Sequence, residues 1–433
     1  ILRIEPQADS FEQNIRFEQW EIAQTLGGLA FGKQGNTSII VVDKDLIITG
    51  SVALYGGYIK LGSSLVSRSG DITLNADTGQ SLQNQAAGVA IFAGAPVVLT
   101  LAENLIDGAT GTITITGRGK DRSLETDTSL SSHGVYIDNG ARIEAGGSGD
   151  IVITGAGGAQ KDGPANGSIR GVFLSGGPYA ATSVRTHNGS IQITGTGGGP
   201  SLGDHNVGVT IRNFSRVSAG GAGSVTIVGT AGGDATGSEN YGVFIQNRTA
   251  SAQSNPYARV TTEGGSISIT GSSGFDTQGI SLEDQGLVAI LDGSSNLASV
   301  TDISLASADG QDASLTLTTD GAIELTSPQL GGDGEIAAAS GQSVTITQAS
   351  DSTFGGTIEG GGLTKAGAGT LTLDGVLNYT GSTTIDGGTL VVQTDTATLG
   401  NKTVNGTGIL RIEPQADSFE QNIRFEQWEI AQT

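Results

Sequence analysis

Short stretches in which apolar and polar residues alternate recur along the middle of this chain. Each begins with glycine followed by an apolar residue, as in GVYI and GVFL, and successive copies are 37, 37, 34 and 37 residues apart. Alternation predicts a β-strand with one buried face, because neighbouring side chains of a strand point to opposite sides. The regular spacing indicates a repeat architecture. The five copies begin at Gly134, Gly171, Gly208, Gly242 and Gly279.

Two further series of alternating stretches follow in the same order within each repeat. The shorter one reads ARIEA, SVRTH, SRVSA and ARVTT in successive repeats, and the longer one reads GDIVITG in a well-defined copy. Each repeat therefore predicts three strands separated by glycine-rich corners. One repeat cannot bury its apolar face alone, whereas stacked repeats enclose a continuous core. The longer series begins at Gly70, Gly111, Gly149, Gly189, Gly223 and Gly265.

The alternation also assigns side chains to the inner and outer faces of the strands. If Val135 and Ile137 face the core, Tyr136 faces outward, and an exposed aromatic row on that face predicts a lateral contact surface. The alternative is a reversed register in which these rings fill the core. The predicted row consists of Tyr136, Phe173 and Phe244, and a second row of Arg142, Arg216 and Arg259 is interrupted by Ser183.

The first 25 residues, ILRIEPQADSFEQNIRFEQWEIAQT, recur unchanged at 409–433, an offset of 408 residues. This identity predicts one period of a tandem array followed by the start of the next. NIRFEQWEIAQT favours two strands or one bulged strand, with a helix as the alternative. Neither end has an evident cap, so we expect stacking to continue between units. The candidate junction contacts are Ile15, Phe17, Trp20, Ile22 and Trp428.

Together these patterns predict an all-β fold, a right-handed parallel β-helix with three strands per turn. At about 37 residues per turn the 408-residue period makes roughly eleven turns, which span roughly 50 Å at the usual strand spacing. A β-sandwich is the main alternative. The predicted division is a junction segment at 1–37, β-helix turns at 38–350, a distinct repeat at 351–408, and the next unit from 409 to 433.

That distinct repeat contains the most specific motif of the chain, in the stretch GGLTKAGAGTLTLDGVLNYTGSTTIDGGTL at 361–390. It resembles the autotransporter-associated β-strand repeat of secreted passenger domains from Gram-negative bacteria. Leu377 stands where that repeat usually has Asn. The wider pattern is similar to filamentous-haemagglutinin-like secreted β-helices. The resemblance implies secretion, a β-helix and a cell-surface location, and it implies no chemistry. The matching residues are Gly362, Leu363, Lys365, Gly367, Gly369, Leu371, Leu373, Tyr379, Gly381, Thr384, Ile385, Gly388 and Leu390.

Composition narrows the function further. Gly contributes 71 residues, Cys is absent, and 43 acidic against 21 basic residues give a formal charge of −22. An excess of this size disfavours binding to nucleic acid and to anionic membranes. The histidines, His133, His187 and His205, are predicted at surface or corner positions, without the clustering that a zinc site needs. The carboxylates are scattered rather than gathered in the pairs that act on glycosidic bonds.

These observations lead to three function hypotheses. The first is a structural unit of an extracellular fibre or filament, joined by covalent tandem repeats or by end-to-end stacking. The second is a secreted adhesin stalk that binds cells or polysaccharide, and the third is a polysaccharide lyase or hydrolase. We expect no enzyme activity, no cofactor and no metal. The expected partners are copies of the chain, with polysaccharide or sibling cells as further candidates, and no insertion of this segment into a membrane.

Overall fold

A computed structural model gives the structure of the protein. It describes residues 1–79, 87–92, 97–100, 111–122, 131–159, 169–176, 181–198, 205–232, 240–246, 258–263, 267–272, 280–283, 287–290, 302–305, 316–318, 322–327, 335–337, 343–348, 351–393, 403–414 and 429–430. Over these ranges the regular structure consists of β-strands and one short 3₁₀ helix, Phe17–Gln19.

The strands are short, with two to six residues each. In chain order they are β1 (Leu2–Ile4), β2 (Ile15–Arg16), β3 (Gly28–Phe31), β4 (Ile39–Val42), β5 (Leu46–Ile48), β6 (Ser51–Tyr55), β7 (Tyr58–Leu61), β8 (Leu65–Ser67), β9 (Ile72–Ala76), β10 (Ala87–Phe92), β11 (Val97–Thr100), β12 (Ile113–Arg118), β13 (His133–Asp138), β14 (Arg142–Ala145), β15 (Ile151–Ala156), β16 (Val172–Ser175), β17 (Ser183–Thr186), β18 (Ile191–Thr196), β19 (Val209–Arg212), β20 (Arg216–Ala219), β21 (Val225–Thr230), β22 (Val243–Gln246), β23 (Arg259–Thr262), β24 (Ile267–Ser272), β25 (Ile280–Glu283), β26 (Leu287–Ile290), β27 (Asp302–Leu305), β28 (Thr316–Thr318), β29 (Ala322–Ser327), β30 (Glu335–Ala337), β31 (Ser343–Gln348), β32 (Ser352–Phe354), β33 (Thr357–Glu359), β34 (Gly362–Ala366), β35 (Thr370–Leu373), β36 (Val376–Leu377), β37 (Thr383–Ile385), β38 (Thr389–Gln393), β39 (Thr403–Gly406), β40 (Ile409–Glu413) and β41 (Glu429–Ile430).

These strands form five sheets that run along the axis of the molecule. The long sheet has sixteen strands in the order β1-β3-β6-β9-β12-β15-β18-β21-β24-β27-β29-β31-β34-β37-β39-β41. The second sheet runs β2-β4-β7-β10-β13-β16-β19-β22-β25, and the third sheet runs β5-β8-β11-β14-β17-β20-β23-β26. Toward the C-terminal end lie the fourth sheet, β28-β30-β33-β36, and the fifth sheet, β32-β35-β38-β40.

Each turn of the chain places one strand on each of three faces, and equivalent strands of successive turns pair in parallel. Val135 is opposite Val172, Arg142 is opposite Ser183, and Ile151 is opposite Ile191, so the three predicted series align as expected. Parallel pairing of one turn with the next is not the hairpin pairing of a β-sandwich. The fold is a parallel β-helix with three strands per turn, as predicted.

The predicted number of turns is wrong. In the middle of the chain 40 residues separate Ile151 from its partner Ile191, but only 20 separate Val52 from Ile72 near one end. The 37-residue spacing is that of the middle turns, whose connections between strands are long. It does not apply to the shorter turns near the ends. Fifteen strands of the long sheet precede Ile409, and at the usual spacing of about 4.8 Å they span about 70 Å rather than 50 Å.

The core is a column of aliphatic side chains inside the three faces. Ile151, Ile193 and Ile227 have at most 1% of their surface exposed, and their outward neighbours along the same strands are more accessible. Burying one such side chain contributes about 1.5–3 kcal/mol relative to leaving it in water. The glycine that ends copies of the longer series allows close backbone packing. A Cβ on Gly195, for example, would lie 2.0 Å from the carbonyl oxygen of Gly208.

Candidate assembly surfaces

The first copy of the repeated segment closes one end of the core with aromatic rings. Phe17 is 2% exposed, and its ring centroid lies 5.2 Å from that of Phe31 and 5.6 Å from that of Trp20. Phe11 lies 5.2 Å from Phe31 on the other side. We call this group of four rings the aromatic plug. Such edge-to-face and tilted ring pairs contribute beyond their buried area.

The sequence favoured two strands or one bulged strand in NIRFEQWEIAQT, with a helix as the alternative, and the preference for strand is only partly correct. Ile15 and Arg16 pair with Ile40 and Val41, but the chain then makes the 3₁₀ turn, closed by the Trp20 backbone N–H, which donates to the Phe17 carbonyl at 3.1 Å. The turn brings Phe17 over the end of the column, where a continued strand would follow the sheet.

Polar side chains fix the same segment to the first complete turn. The Ser10 hydroxyl donates to Asn36 Oδ1 at 2.7 Å and accepts from the Thr37 backbone N–H at 3.1 Å. Asn36 is 1% exposed, and its Nδ2 donates to the Tyr55 carbonyl one turn further on at 2.7 Å. The Arg16 guanidinium contacts Asp43 at 3.0 Å. The segment is therefore held by specific polar contacts as well as by apolar packing.

One edge of this end remains without a strand partner in the described structure. β1 is the end strand of the long sheet, and Ile1 and Leu2 are 82% and 42% exposed. On the third face, residues 20–24 do not pair with β5, and a cleft of about 640 Å³ lies between them and residues 44–47. Unpaired strand edges recruit further strands, so this end is a candidate interface.

The described parts of the second copy lie at the opposite end and make different strand pairings. Ile409–Glu413 pairs with the preceding strand β38, and Glu429–Ile430 pairs with Thr403–Val404 of β39. Ile409 is 60% exposed. Among the predicted junction residues, Ile15, Phe17, Trp20 and Ile22 gather at the first end, where Ile15 and Ile22 pack partly buried against the core, and Trp428 lies outside the described residues. Their role in a junction remains a prediction.

The predicted aromatic row lies on the outer side of the second sheet, with Val135 and Ile137 facing inward as expected. Tyr136 and Phe173 stack with centroids 5.0 Å apart. The expected exposure is wrong for Phe173 and Phe244, which are only 3% and 5% exposed. Neighbouring groups cover these rings outside the main core. The lateral contact role of the row stays a prediction.

Two arginines and a histidine provide much of the cover over Phe173. The sequence analysis singled out neither arginine, and it named His133 only as a surface or corner residue. The guanidinium carbons of Arg170 and Arg212 lie 4.2 and 4.7 Å from the Phe173 ring centroid, within range of a cation–π interaction. His133 packs edge-on to Phe173, and its Nδ1 accepts the Arg170 backbone N–H at 3.2 Å. The signal was the repeat itself, because Arg170 directly precedes the GVFL stretch and Arg212 directly follows the GVTI stretch of the next repeat.

The charge state of His133 follows from this environment. Burial is the largest cause and the two arginines add to it, so the pKa of His133 is held well below its usual value. His133 begins β13 at a corner, as expected, but it is buried rather than exposed. Burial and the hydrogen bond of the Tyr136 hydroxyl to Asp138 Oδ2 at 2.5 Å raise the pKa of Tyr136. The cluster is neutral at His133 and cationic at the arginines.

The repeat near the C-terminal end contains a buried cation with an internal role. Lys365 is 0% exposed, and its Nζ donates to the carbonyl oxygens of Ala366, Gly367 and Gly387 at 2.8, 3.0 and 3.2 Å. Burial lowers the pKa of Lys365. The Tyr379 hydroxyl lies 2.6 Å from the Thr383 hydroxyl. Lys365 thus joins its own corner to that of the next turn through Gly387, and the Tyr379–Thr383 contact lies within one corner, so both side chains serve the fold.

The comparison with known families agrees with the resemblance drawn from this stretch. Residues 363–392 match the family model of the passenger-associated-transport-repeat, a small part of the 433 residues. This confirms that the chain carries a β-strand repeat of autotransporter passenger domains. No curated protein and no solved structure matches the chain.

The described ranges hold no group of three or more His, Cys, Asp or Glu side chains that could bind a metal ion. In the same residues no helix has the length and apolar character needed to cross a membrane. The surfaces that stand out in the described part of the chain are thus the two ends and the outer aromatic row.

Proposed function

We propose that this chain is a structural repeat unit of an extracellular fibre on the surface of a Gram-negative bacterium. It is exported as part of an autotransporter-type passenger, and its units are joined end to end, either within one long polypeptide or between chains. Its partners are copies of itself, and its role is mechanical rather than catalytic.

The observation that carries the proposal is the long sheet, which runs from Leu2 to Ile430 and has the same 25-residue sequence at both ends. A β-helix extends along its axis by adding turns, because each turn contacts only its neighbours. An end strand in such a stack offers a row of backbone donors and acceptors to the next turn. The identical sequence at both ends is compatible with units that join head to tail.

Export and surface location are supported by the matched repeat at 363–392. The absence of Cys from the sequence and the formal charge of −22 are compatible with a secreted chain that depends on no disulfide and whose copies repel one another. Repulsion between chains lying side by side, together with end strands that have one free edge in the described residues, favours thin, unbranched fibres over bundles.

The test is electron microscopy of the purified 433-residue chain after incubation at increasing concentration. We expect filaments one β-helix wide, with an axial repeat of about 70 Å set by the strand spacing. Particles that remain single rods of one chain at all concentrations, together with a full-length gene that holds one unit only, would contradict the proposal.

A further inference from the structure

We propose that the end of the core where residues 1–25 lie also accepts residues 409–433 of a second copy of the chain, so that units join by exchange of this identical segment. The inference rests on the proposed fibre function and specifies its joint. We call the surface that holds residues 1–25 the seat. It consists of β3, which ends at Phe31, of β4 and of residues 36–38.

The seat recognises the segment through contacts that depend only on the segment's own sequence. Leu2 pairs with Leu29, and Ile15 pairs with Ile40. Phe17 fills the end of the column beside Phe31, and Ser10 binds Asn36. Because residues 409–433 have the same sequence, they can make each of these contacts in place of residues 1–25.

The second copy can reach a seat while it stays attached to its own chain, because the two copies use opposite edges. The first copy pairs through the edge that faces the following turn, β3. The second copy pairs through the edge that faces the preceding turns, β38 and β39. β40 and β41 are end strands of their sheets, so within the described residues the edge that would face a seat carries no strand.

The order of the faces is also compatible with this joint. In the first copy, residues 2–4 lie in the long sheet and residues 15–16 in the second sheet. In the second copy, residues 409–413 lie in the fifth sheet and residues 429–430 in the long sheet. Chain order around the three faces is kept, but it is advanced by one face. A joined unit would therefore be rotated by one third of a turn about the axis.

The first copy is also an incomplete match for its seat when no turn lies beneath it. Residues 21–22 form no strand there and border the 640 Å³ cleft beside β5. The identical residues Glu429–Ile430 form β41 because Thr403–Val404 supplies a partner strand. A segment supported from below thus presents more strand to the seat than the chain's own first copy does, which favours exchange. Before exchange, the first copy holds the seat because it is tethered beside it.

Two matched substitutions in the full chain test the exchange. Phe17→Asp removes the ring that the first copy buries in the seat, and Phe425→Asp makes the same change in the second copy. We expect Phe17→Asp to shift the chain from the 43.5 kDa species to multiples of that mass in light scattering, and Phe425→Asp to leave it at one chain mass. The double variant should also stay at one chain mass, because its seat is open but its donor is impaired.

A synthetic peptide with the sequence of residues 1–25 provides the direct measurement. A fluorescent peptide should bind the double variant with one peptide per chain, and a peptide with Asp in place of Phe17 should bind at least tenfold more weakly. Each variant is checked by circular dichroism; if Phe17→Asp loses its β-sheet signal, deletion of residues 1–25 replaces it with the same expectations.

A folded Phe17→Asp chain that stays at one chain mass, or a double variant that does not bind the peptide, would overturn the exchange. Filaments that form equally well from the double variant would also overturn it while leaving the fibre function intact. Conversely, an unsubstituted chain that makes no filaments alongside a Phe17→Asp chain that oligomerises would support the exchange and contradict the fibre.

Discussion

The apolar core of this protein is covered in different ways in the central turns and at the first end. In the central turns Ile151, Ile193 and Ile227 each lie between similar side chains above and below, so one pattern solves the packing of every turn. At the first end β1 and β2 are the end strands of their sheets in the described structure, and the aromatic plug of Phe17 and its neighbours covers the column there. A periodic sequence can specify the inside of a solenoid, but its ends need residues that break the period.

The largest expected effect is a charge placed in the central column. Ile193→Asp buries a carboxylate without a partner, and we expect a loss of several kcal/mol in unfolding free energy, beyond the cost of a cavity. Gln192→Asp is the matched control, since Gln192 is exposed on the same strand and should change stability by about 0.5 kcal/mol or less. Thermal melting followed by circular dichroism measures both. Equal melting temperatures would show that this strand faces no packed interior.

A truncation in the aromatic plug should have the next largest effect, and it should be local. Phe17→Ala removes a buried ring, for which the typical cost is about 3–5 kcal/mol. Because each turn contacts only its neighbours, the loss should open the end without unfolding the middle. Hydrogen exchange should accelerate at residues 15–16 and 39–42 and stay unchanged at Ile191–Thr196. Uniform acceleration along the chain would mean that the end and the middle unfold as one unit.

The unfolding free energy should also depend on pH, because of His133 on the outer side of the central turns. Because the pKa of His133 is lowered in the folded state, the unfolded chain takes up a proton below its usual pKa near 6.5 and the folded chain does not. Stability should therefore fall as pH decreases from 7 to 5, by up to about 1.4 kcal/mol per pH unit from this group. Denaturant unfolding of the chain and of His133→Gln isolates the effect. A difference between them that does not change with pH would contradict it.

The smallest effect concerns the polar attachment of the first end. Ser10→Ala removes the hydroxyl that contacts Asn36 and the Thr37 backbone, and we expect a loss of about 1 kcal/mol. Denaturant titration monitored by Trp fluorescence reads this change close to Trp20. A loss as large as that of Phe17→Ala would mean that polar contacts, rather than the plug, hold the segment.

The same contrast explains how far the sequence predicts the structure. Val135, Ile137 and the Arg142–Ser183–Arg216–Arg259 row were placed correctly, because alternation and spacing fix both face and register. The 3₁₀ turn at Phe17 was not predicted, since it depends on the end of the column below it. The predicted number of turns was wrong because it assumed about 37 residues for every turn. Near the two ends a turn takes only 20 residues, so the same length of chain makes more turns.

For the candidate surfaces too, some residues could be predicted from the sequence and others could not. The junction residues Ile15, Phe17, Trp20 and Ile22 could be named because an identical segment marks them. The cover over Phe173 could not, because Arg170, Arg212 and His133 come from different turns and meet only when the turns stack. Alternation assigns a ring to the outer face, but exposure also depends on what the corners place over that face.

The helical parameters of a filament, determined by cryo-electron microscopy, test the central claim most directly. An end-to-end joint through the repeated segment predicts one unit about every 70 Å along the axis, from the spacing of strands in the long sheet. It also predicts a rotation of one third of a turn between units, with continuous strand density through the joint. Filaments built from side-by-side chains, or units separated by a gap without strand pairing, would contradict the account.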